Sequence, residues 1–565
     1  MDQSINQPQN LKTAPKLVPE DDNLLKSLLI KGQFLSNEEL QMAEGYIATH
    51  HISLFDYLLN QNIVAYDLMG QTLARYYGVE FADLGVFQPT KEYISMISPE
   101  VGQKYRVVVY KSDTNILTVA TDNPRQTGLL EELKRIFGDS RPIEIAYAMP
   151  DDLNEVLIHY RKPLVTRFNQ ILKEQNRVAP EIINEILKDA TAFKVSDIHF
   201  EPQESIVLIR FRIDGVLHDA GQLPKQYYDN ILNRLKVQAH MRIDEHNMSQ
   251  DGAIRYKIDG KPVNVRMSVI PTLDGEKAAL RILAEYSKGI SVKSLGLSKA
   301  DKTILDKQIH RPYGMIITTG PTGSGKTTTL YSMIKMLNNP EINVTTIEDP
   351  VEYKIVGVNQ IQVNQQTHIN FTEGLRAMLR QDPDVILVGE IRDNDTAELA
   401  VNAALTGHLL FSTFHANTAA AAIPRLLDMD VEPFLLASTL NLVIAQRLVR
   451  TIHPACRYSF GVDIGVIREY LPNADTYFHT PKVTLYQGKG CNGCNFTGYH
   501  GRTAIFELIS INPEMKELIL KNPSTVEIER LAKKQGDHTL FEDGIEKIQT
   551  GLTTLQELLR VAEPR

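Results

Sequence analysis

Positive charge is in deficit in this chain. Sixty Lys and Arg against 69 Asp and Glu leave a net charge of -9 and a pI near 6.0. No chain-wide basic field therefore exists to draw in nucleic acid or an anionic membrane surface. Cysteine is scarce too: three in 565 residues exclude a disulfide scaffold, and an odd number fits a reducing cytosol. Long apolar runs are missing. The most apolar stretch, FLLASTLNLVIA from Phe434 to Ala445, is too short to span a bilayer and carries Ser, Thr and Asn, so it reads as a buried helix. Residues 1–22 are rich in Gln, Asn and Pro without the apolar core of a secretion signal, and they read as a disordered tail.

What is present is a globular composition, 43% hydrophobic and 23% charged. Single cores stop growing near 250 to 300 residues, so about three domains are expected. From Leu24 to about Tyr147 a weak repeat has a period of 29: Leu28, Leu29, Phe34, Leu35 and Leu40 recur as Tyr57, Leu58, Ile63, Val64 and Met69. Both copies read as paired amphipathic helices, giving a small, mainly helical N-terminal domain over 23–150. A polar helical stretch over 151–178 reads as a linker. An α+β half-domain over 179–290 follows, in which SIVLIRFRIDG and KPVNVRMSVIP alternate as strands do. From Gly296 to the end, apolar strands (YGMIITTG, VTTIED, PDVILVGEI, HLLFSTFH) alternate with helical segments. That is the pattern of an α/β domain with a mostly parallel, doubly covered sheet.

The first of those strands ends in GPTGSGKT, which fits G-x-x-x-x-G-K-[ST]. Its glycines let the backbone of Gly320, Pro321, Thr322, Gly323, Ser324, Gly325, Lys326, Thr327 and Thr328 curl around phosphate oxygens at a helix N-terminus, with every residue but Pro321 offering an N–H. Lys326 would hold the β- and γ-phosphates of ATP, and the Thr327 hydroxyl would ligate Mg²⁺. Other strand ends supply carboxylates, Glu348 and Asp349 in IEDPVE and Glu390 in VILVGEIRD. They would meet the phosphates at the carboxyl edge of the sheet. Hydrolysis needs one acid to orient or deprotonate water and another to help fix the metal.

GPTGSGKTTTLY, TTIEDPVE, LRQDPDVILVGEIRD and TGHLLFSTFHANTA resemble the Walker A, Asp box, Walker B and His box of the secretion-superfamily ATPases, the motors of type II secretion and type IV pili. SDIHFEP, FRIDGVLH and IPTLDGEKAALRIL resemble the segments of that family's N-terminal half-domain. The resemblance spans Ala179 to Pro564 and implies a RecA-like P-loop ATPase domain preceded by a PAS-like half-domain. Within the family the chain most resembles a type IV pilus assembly ATPase; the alternative is a type II secretion motor, and a DNA translocase is a remote third reading. The resemblance makes Glu348 the water-activating acid and Glu390 the Walker B glutamate near Mg²⁺. It makes His408 and His415 the His-box pair, with His415 near the terminal phosphate or a subunit contact. Arg212, Arg266 and Arg281 match arginines that reach the phosphates when the half-domain closes, where a guanidinium fork suits transition-state charge. The implied assembly is a cytoplasmic homohexamer, peripheral to the inner membrane through a platform protein and pilus assembly components, with no direct nucleic acid partner.

Three departures qualify the resemblance. DEHNMSQDGAIR has His246, Asn247, Ser249 and Ala253 where the family commonly has charged, Pro and Arg residues. In the His box, Phe414 and Ala416 replace the usual Leu and Thr, changes that preserve the strand. Some members bind cyclic di-GMP through two copies of a motif beginning Arg-Leu-Gly, but Leu24-Leu25-Lys26 and Ser53-Leu54-Phe55 stand at the two positions here. No arginine is left to stack on guanine, so no direct cyclic di-GMP binding is expected and the domain reads as a docking module.

Extension and secretion motors of this family carry two C-x-x-C pairs that bind structural Zn²⁺. Here the second pair is intact as Cys491 and Cys494, while His453 stands where the first cysteine of the other pair would be, before Cys456. An excursion over about 453–494 with a Cys₃His site is therefore implied. Two other arrangements stay open: His453 capping a turn before Pro454 with no fourth ligand, or His500 as the substitute.

Overall fold

The computed structural model describes residues 22–564, apart from 32–33, 36–39, 42, 45–53, 61–62, 65, 86, 88, 114–115, 139–140, 158–159, 161–163, 175–177, 259–260, 284–291, 293–294, 365–366, 492–493 and 495–496. The tail expected over 1–22 thus lies outside the described residues except for Asp22. The chain divides into two compact units, Met1–Gly289 and Ile290–Arg565. Among the described residues no helix is long and apolar enough to cross a membrane.

The 29-residue repeat is a structural repeat. The helix Asp22–Lys31 and the helix Leu54–Asn60 are each followed by the same backbone bond, from Phe34 N to Leu29 O at 2.9 Å and from Ile63 N to Leu58 O at 3.0 Å. These i+5 bonds satisfy carbonyls that a helix end leaves orphaned. Leu29, Leu35, Leu58, Val64 and Met69 are buried in one core. To this helical half the structure adds a sheet of four strands, β1 (Glu80–Phe81), β2 (Val107–Ser112), β3 (Leu117–Thr121) and β4 (Ile143–Tyr147), in the order β1-β4-β3-β2. Both faces of β3 are buried, so its LTVAT shows no alternation that would mark it as a strand.

Residues 151–178 are not simply a polar spacer. Leu153, Val156 and Leu157 pack in the core beneath this sheet, whereas Leu164 and Phe168 pack in the core of the half-domain. The polar composition misleads because each short helix buries only one narrow face.

The half-domain is an antiparallel sheet backed by the helices Val178–Ala192 and Tyr228–Gln238. Its strands are β5 (Asp197–Pro202), β6 (Ile206–Ile213), β7 (Val216–Pro224), β8 (Gln250–Ile258), β9 (Lys261–Thr272) and β10 (Gly275–Leu283), in the order β7-β6-β5-β10-β9-β8. Alternation of burial along β6 puts Val207, Ile209 and Phe211 in the core and Leu208, Arg210 and Arg212 on the opposite face.

The second unit is built on a seven-stranded sheet in the order β13-β12-β14-β15-β11-β16-β19. The strands are β11 (Gly314–Thr319), β12 (Val344–Glu348), β13 (Val358–Gln362), β14 (Val385–Val388), β15 (Leu409–Phe414), β16 (Leu440–Ile452) and β19 (Tyr499–Ser510). All neighbours are parallel except β16 and β19. A hairpin of β17 (Arg457–Asp463) and β18 (Lys482–Gly488) stands apart. Phe434–Ala445, expected as one buried helix, changes form midway: Pro433–Thr439 is helical and Leu440 onward is β16. A strand covered on both faces is as uniformly apolar as a buried helix, and only the β-branched run after Leu442 favours the strand.

Candidate functional site

β11 lies between β15 and β16, out of sequence order, and its carboxyl end opens into the P-loop. Such a crevice at the carboxyl ends of parallel strands is where open α/β sheets bind ligands. Gly320, Gly323 and Gly325 have φ of 146°, 78° and 89°, which only glycine adopts without strain. The helix Lys326–Leu337 then starts with Lys326, Thr327 and Thr328 in its first turn. The Lys326 ammonium donates to the carbonyls of Gly320 at 2.8 Å and Pro321 at 3.1 Å. Burial holds its pKa below that of an exposed lysine, while the charge of Glu390 opposes the shift.

The two glutamates sit in different surroundings. Glu348, the last residue of β12, is buried. Its carboxylate accepts from the Tyr331 hydroxyl, from Thr346 Oγ1 at 2.6 Å and from Gln360 Nε2 at 3.3 Å. Burial pushes its carboxyl above the usual range, against those donors. Glu390 follows β14 and meets the Arg392 guanidinium and His415 Nε2, the latter at 3.2 Å. Arg392 also lies 3.9 Å from Asp349. Glu390 is the carboxylate whose charge is felt at Lys326, and Glu348 is joined to the helix Lys326–Leu337 through the Tyr331 hydroxyl. Gly389 lets the two strand ends pass: a Cβ there would stand 3.2 Å from Glu348 Cα and from Ile347 O.

The two histidines are at opposite ends of β15. His415 follows its last residue, and a pocket of about 230 Å³ is lined by Gly320, Pro321, His415, Ala416, Asn417, Ala421 and Arg425. His408 precedes its first residue, and its Nδ1 lies 2.9 Å from the Ala403 carbonyl and 3.3 Å from Thr406 Oγ1. It is on the order of 20 Å along the strand from His415 and closes a turn.

Arg212, Arg266 and Arg281 lie in the first unit, in one row across the half-domain sheet. Arg212 pairs with Asp197, Asp197 with Arg281, Arg281 with Arg266, and Arg266 with Ala253. Directly opposed residues share a face, so three guanidiniums and one carboxylate stand side by side. Arg281 Nε donates to Asp197 Oδ1 at 2.9 Å, and Arg212 Nε lies 3.5 Å from Oδ2. Three arginines to one aspartate is a row composition that suits a polyanion. Ala253, noted as a departure, ends the row where an arginine would extend it. His246, another departure, contacts Glu276 Oε2 at 2.8 Å.

The three thiols and His453 come together. β16 ends at Ile452, and the chain returns to pair with it in β19, so both ends of the excursion meet. Cys456 Sγ and Cys491 Sγ lie 3.9 and 3.7 Å from Cys494 Sγ, and Cys491 Sγ lies 3.2 Å from His453 Nδ1. Tetrahedral Zn–S bonds of about 2.3 Å require sulfurs about 3.8 Å apart, so the donor set fits. The backbone N–H groups of Cys491 and Gly498 each donate to Cys494 Sγ at 3.2 Å. Burial works to raise the Cys494 pKa, but these donors and the neighbouring thiols hold it below the usual range, while burial raises that of Cys456 and pushes that of Cys491 up to about 12. The four ligand atoms lie within 4.8 Å of one another without His500, whose ring meets that of His453 edge-on at 5.6 Å.

Sequence reasoning missed Tyr331, Arg392, Arg425 and Gln446. Arg392 could have been read from GEIRD, beside Glu390. Arg425 donates to the His415 carbonyl and lies over the Phe414 ring at 5.4 Å; nothing in its local sequence places it at the pocket.

The family described as "Type II/IV secretion system protein" matches residues 172–560, and the MshEN domain matches residues 77–166. The type IV pilus assembly ATPase PilB of Myxococcus xanthus (strain DK1622) is 35% identical over 570 residues, covering 96% of this chain and 99% of the relative. The type II secretion system protein E of Dickeya dadantii (strain 3937) is 39% identical over 474 residues, covering 83% and 87%. The solved ATPase DotB of Legionella pneumophila aligns with a TM-score of 0.51 at 22% identity over 69% of this chain and 97% of that one, a likeness of fold.

Proposed function

The chain belongs to the type II/IV secretion system protein family and is an ATP hydrolase with a RecA-like fold, and from that premise we propose that it powers type IV pilus extension. The observation that carries this over type II secretion is similarity along nearly the whole length of a pilus assembly ATPase, N-terminal domain included. The reading remains that of a cytoplasmic homohexamer acting on an inner-membrane platform protein and driving the addition of pilin subunits.

In this reading Lys326 and the P-loop amides hold the phosphates, and Thr327 with Glu390 supplies oxygen ligands suited to Mg²⁺. Bound there, Mg²⁺ would neutralise charge developing on the transferred phosphoryl group. Glu348, its pKa raised by burial, activates the attacking water, and the Tyr331 hydroxyl ties it to the helix that follows the P-loop. His415 and Arg392 fix the Glu390 carboxylate. Arg212, Arg266 and Arg281 bring positive charge to the phosphates from the half-domain, and zinc on His453, Cys456, Cys491 and Cys494 closes the excursion as a structural site with no open position.

The N-terminal domain serves as a docking module. Leu25, Leu54 and Phe55 are spent on the helical core, and Ser53 lies outside the described residues. The MshEN match begins at residue 77, beyond both positions.

A deletion strain complemented with the parent or with Glu390→Gln tests the assignment. Loss of surface pili with secretion of folded exoproteins intact supports the pilus reading. Intact pili with secretion lost would transfer the chain to type II secretion.

A further inference from the structure

Gln446 belongs to none of the motifs that mark the nucleotide site, yet it is the residue on which the P-loop rests. β16 runs parallel to β11 with Ala445 opposite Thr319. β11 ends there and β16 continues, so Gln446 falls directly beneath the loop. Its side chain is 1% exposed. Its Nε2 donates to the Ser324 carbonyl at 2.6 Å, and its Oε1 accepts from Thr329 Oγ1 at 2.7 Å. One amide thus ties the crest of the loop to the first full turn of the helix behind it. The loop in turn is shaped around this residue. A Cβ at Gly320 would stand 2.5 Å from the Gln446 carbonyl oxygen, and one at Gly325 would stand 3.0 Å from Nε2. Two of the three P-loop glycines therefore permit contact with β16 as well as approach of phosphate.

We propose that Gln446 is a positioning residue for phosphate binding: its amide fixes the Ser324 peptide relative to the helix N-terminus, so that the loop's N–H groups converge on the β-phosphate. The reason is geometric. With the Ser324 carbonyl held down against β16, the peptide N–H on its other side, that of Gly325, is turned toward the concave face of the loop. Preorganised donors of this kind cost no reordering when the anion arrives. Gln446 touches no nucleotide in this account. The proposal rests on the reading of Gly320–Thr327 as the phosphate site.

The choice of substitution separates positioning from packing. Gln446→Leu removes both bonds and keeps the volume. Gln446→Glu keeps the acceptor for Thr329, and its carboxyl donates to the Ser324 carbonyl only when protonated. Thr329→Val removes the helix-side bond alone and serves if a change at Gln446 prevents folding. Lys326→Ala reports on the phosphate site itself. Each full-length variant is titrated with ADP by calorimetry at pH 8 and at pH 5.5, with bound zinc measured as a control of the fold around β16.

The expected result is a dissociation constant for ADP raised roughly tenfold in Gln446→Leu at both pH values, as loss of a buried hydrogen bond implies. A smaller rise is expected in Thr329→Val. Gln446→Glu should be weak at pH 8 and move toward the parent at pH 5.5, a recovery that packing alone would not produce. Parental affinity in Gln446→Leu, or in Thr329→Val where Gln446→Leu does not fold, together with weakened binding in Lys326→Ala, would overturn the role of Gln446. Parental affinity in Lys326→Ala as well would overturn the phosphate site, and this proposal with it.

Discussion

Glu348 and Glu390 end adjacent strands of one parallel sheet, yet burial and partners divide their chemistry. Glu348 accepts from Tyr331, Thr346 and Gln360, and burial nonetheless raises its pKa, as a general base requires. Glu390 instead meets the Arg392 guanidinium and His415. Glu348→Gln should therefore bind ATP and lose hydrolysis by a factor on the order of 10² to 10⁴. Glu390→Gln should lose turnover as well, because Mg²⁺ would be left short of a carboxylate ligand. Steady-state ATPase rates of the two variants side by side check the assignment, and parental turnover in Glu348→Gln would transfer the water-activating role to Glu390.

Two elements of the second unit are held by chemistry outside its apolar core. The excursion from β16 should carry about one zinc per chain by elemental analysis, with Cys494→Ser losing it and His453→Cys keeping it. Imidazole and thiolate are interchangeable ligands in closed tetrahedral sites. The C-terminal helices instead rest on a cluster of charges in which Asp301, Asp543 and Lys547 are buried, with Asp537 and His538 beside them. Burial pushes the Asp537 pKa up to about 6. A folded-state pKa raised above the unfolded value favours the protonated form, so stability from this group is present below about pH 4 and lost as pH rises through about 6. His538, raised chiefly by its pairing with Asp301 at 3.3 Å, acts with the same sign from its ordinary value upward: stability present below that value declines as pH rises through the folded one. Asp537→Asn should accordingly raise the Tm by a few degrees at pH 7.5 and leave it unchanged at pH 4, which thermal melts at the two pH values would show.

At the scale of the whole molecule, the arginine row and the N-terminal domain make separate claims. Arg281→Ala removes a guanidinium from a face that already carries Asp197, and turnover should fall by roughly tenfold or more while the P-loop still binds ADP. A parallel loss of ADP affinity would mean that the row acts on ground-state binding. Calorimetry of the full chain with cyclic di-GMP should show no micromolar binding, since the motif positions carry Leu25, Leu54 and Phe55 in a packed core. Micromolar binding would give the N-terminal domain a ligand.

The sequence by itself determined whatever is local or periodic. The P-loop is legible because glycines at fixed spacing and a following helix are contiguous in the chain, and the 29-residue repeat is legible because each copy repeats its own apolar pattern. The parallel strands were visible as apolar runs, and the cluster of His453, Cys456, Cys491 and Cys494 as spaced thiols and one histidine once the family resemblance supplied the pattern. Tertiary structure decided what depends on neighbours brought together across the sheet. Strand order put Gln446 beneath the P-loop, 122 residues from the Ser324 carbonyl it holds. The same pairing separated His408 from His415 and lined up Arg212, Asp197, Arg281 and Arg266 from four strands. It also gave the two glutamates different partners, and turned Leu440–Ala445 into a strand. Spacing along the chain carries no information about distance between strands, because hydrogen-bond pairing and burial fix that distance only once the sheet has formed.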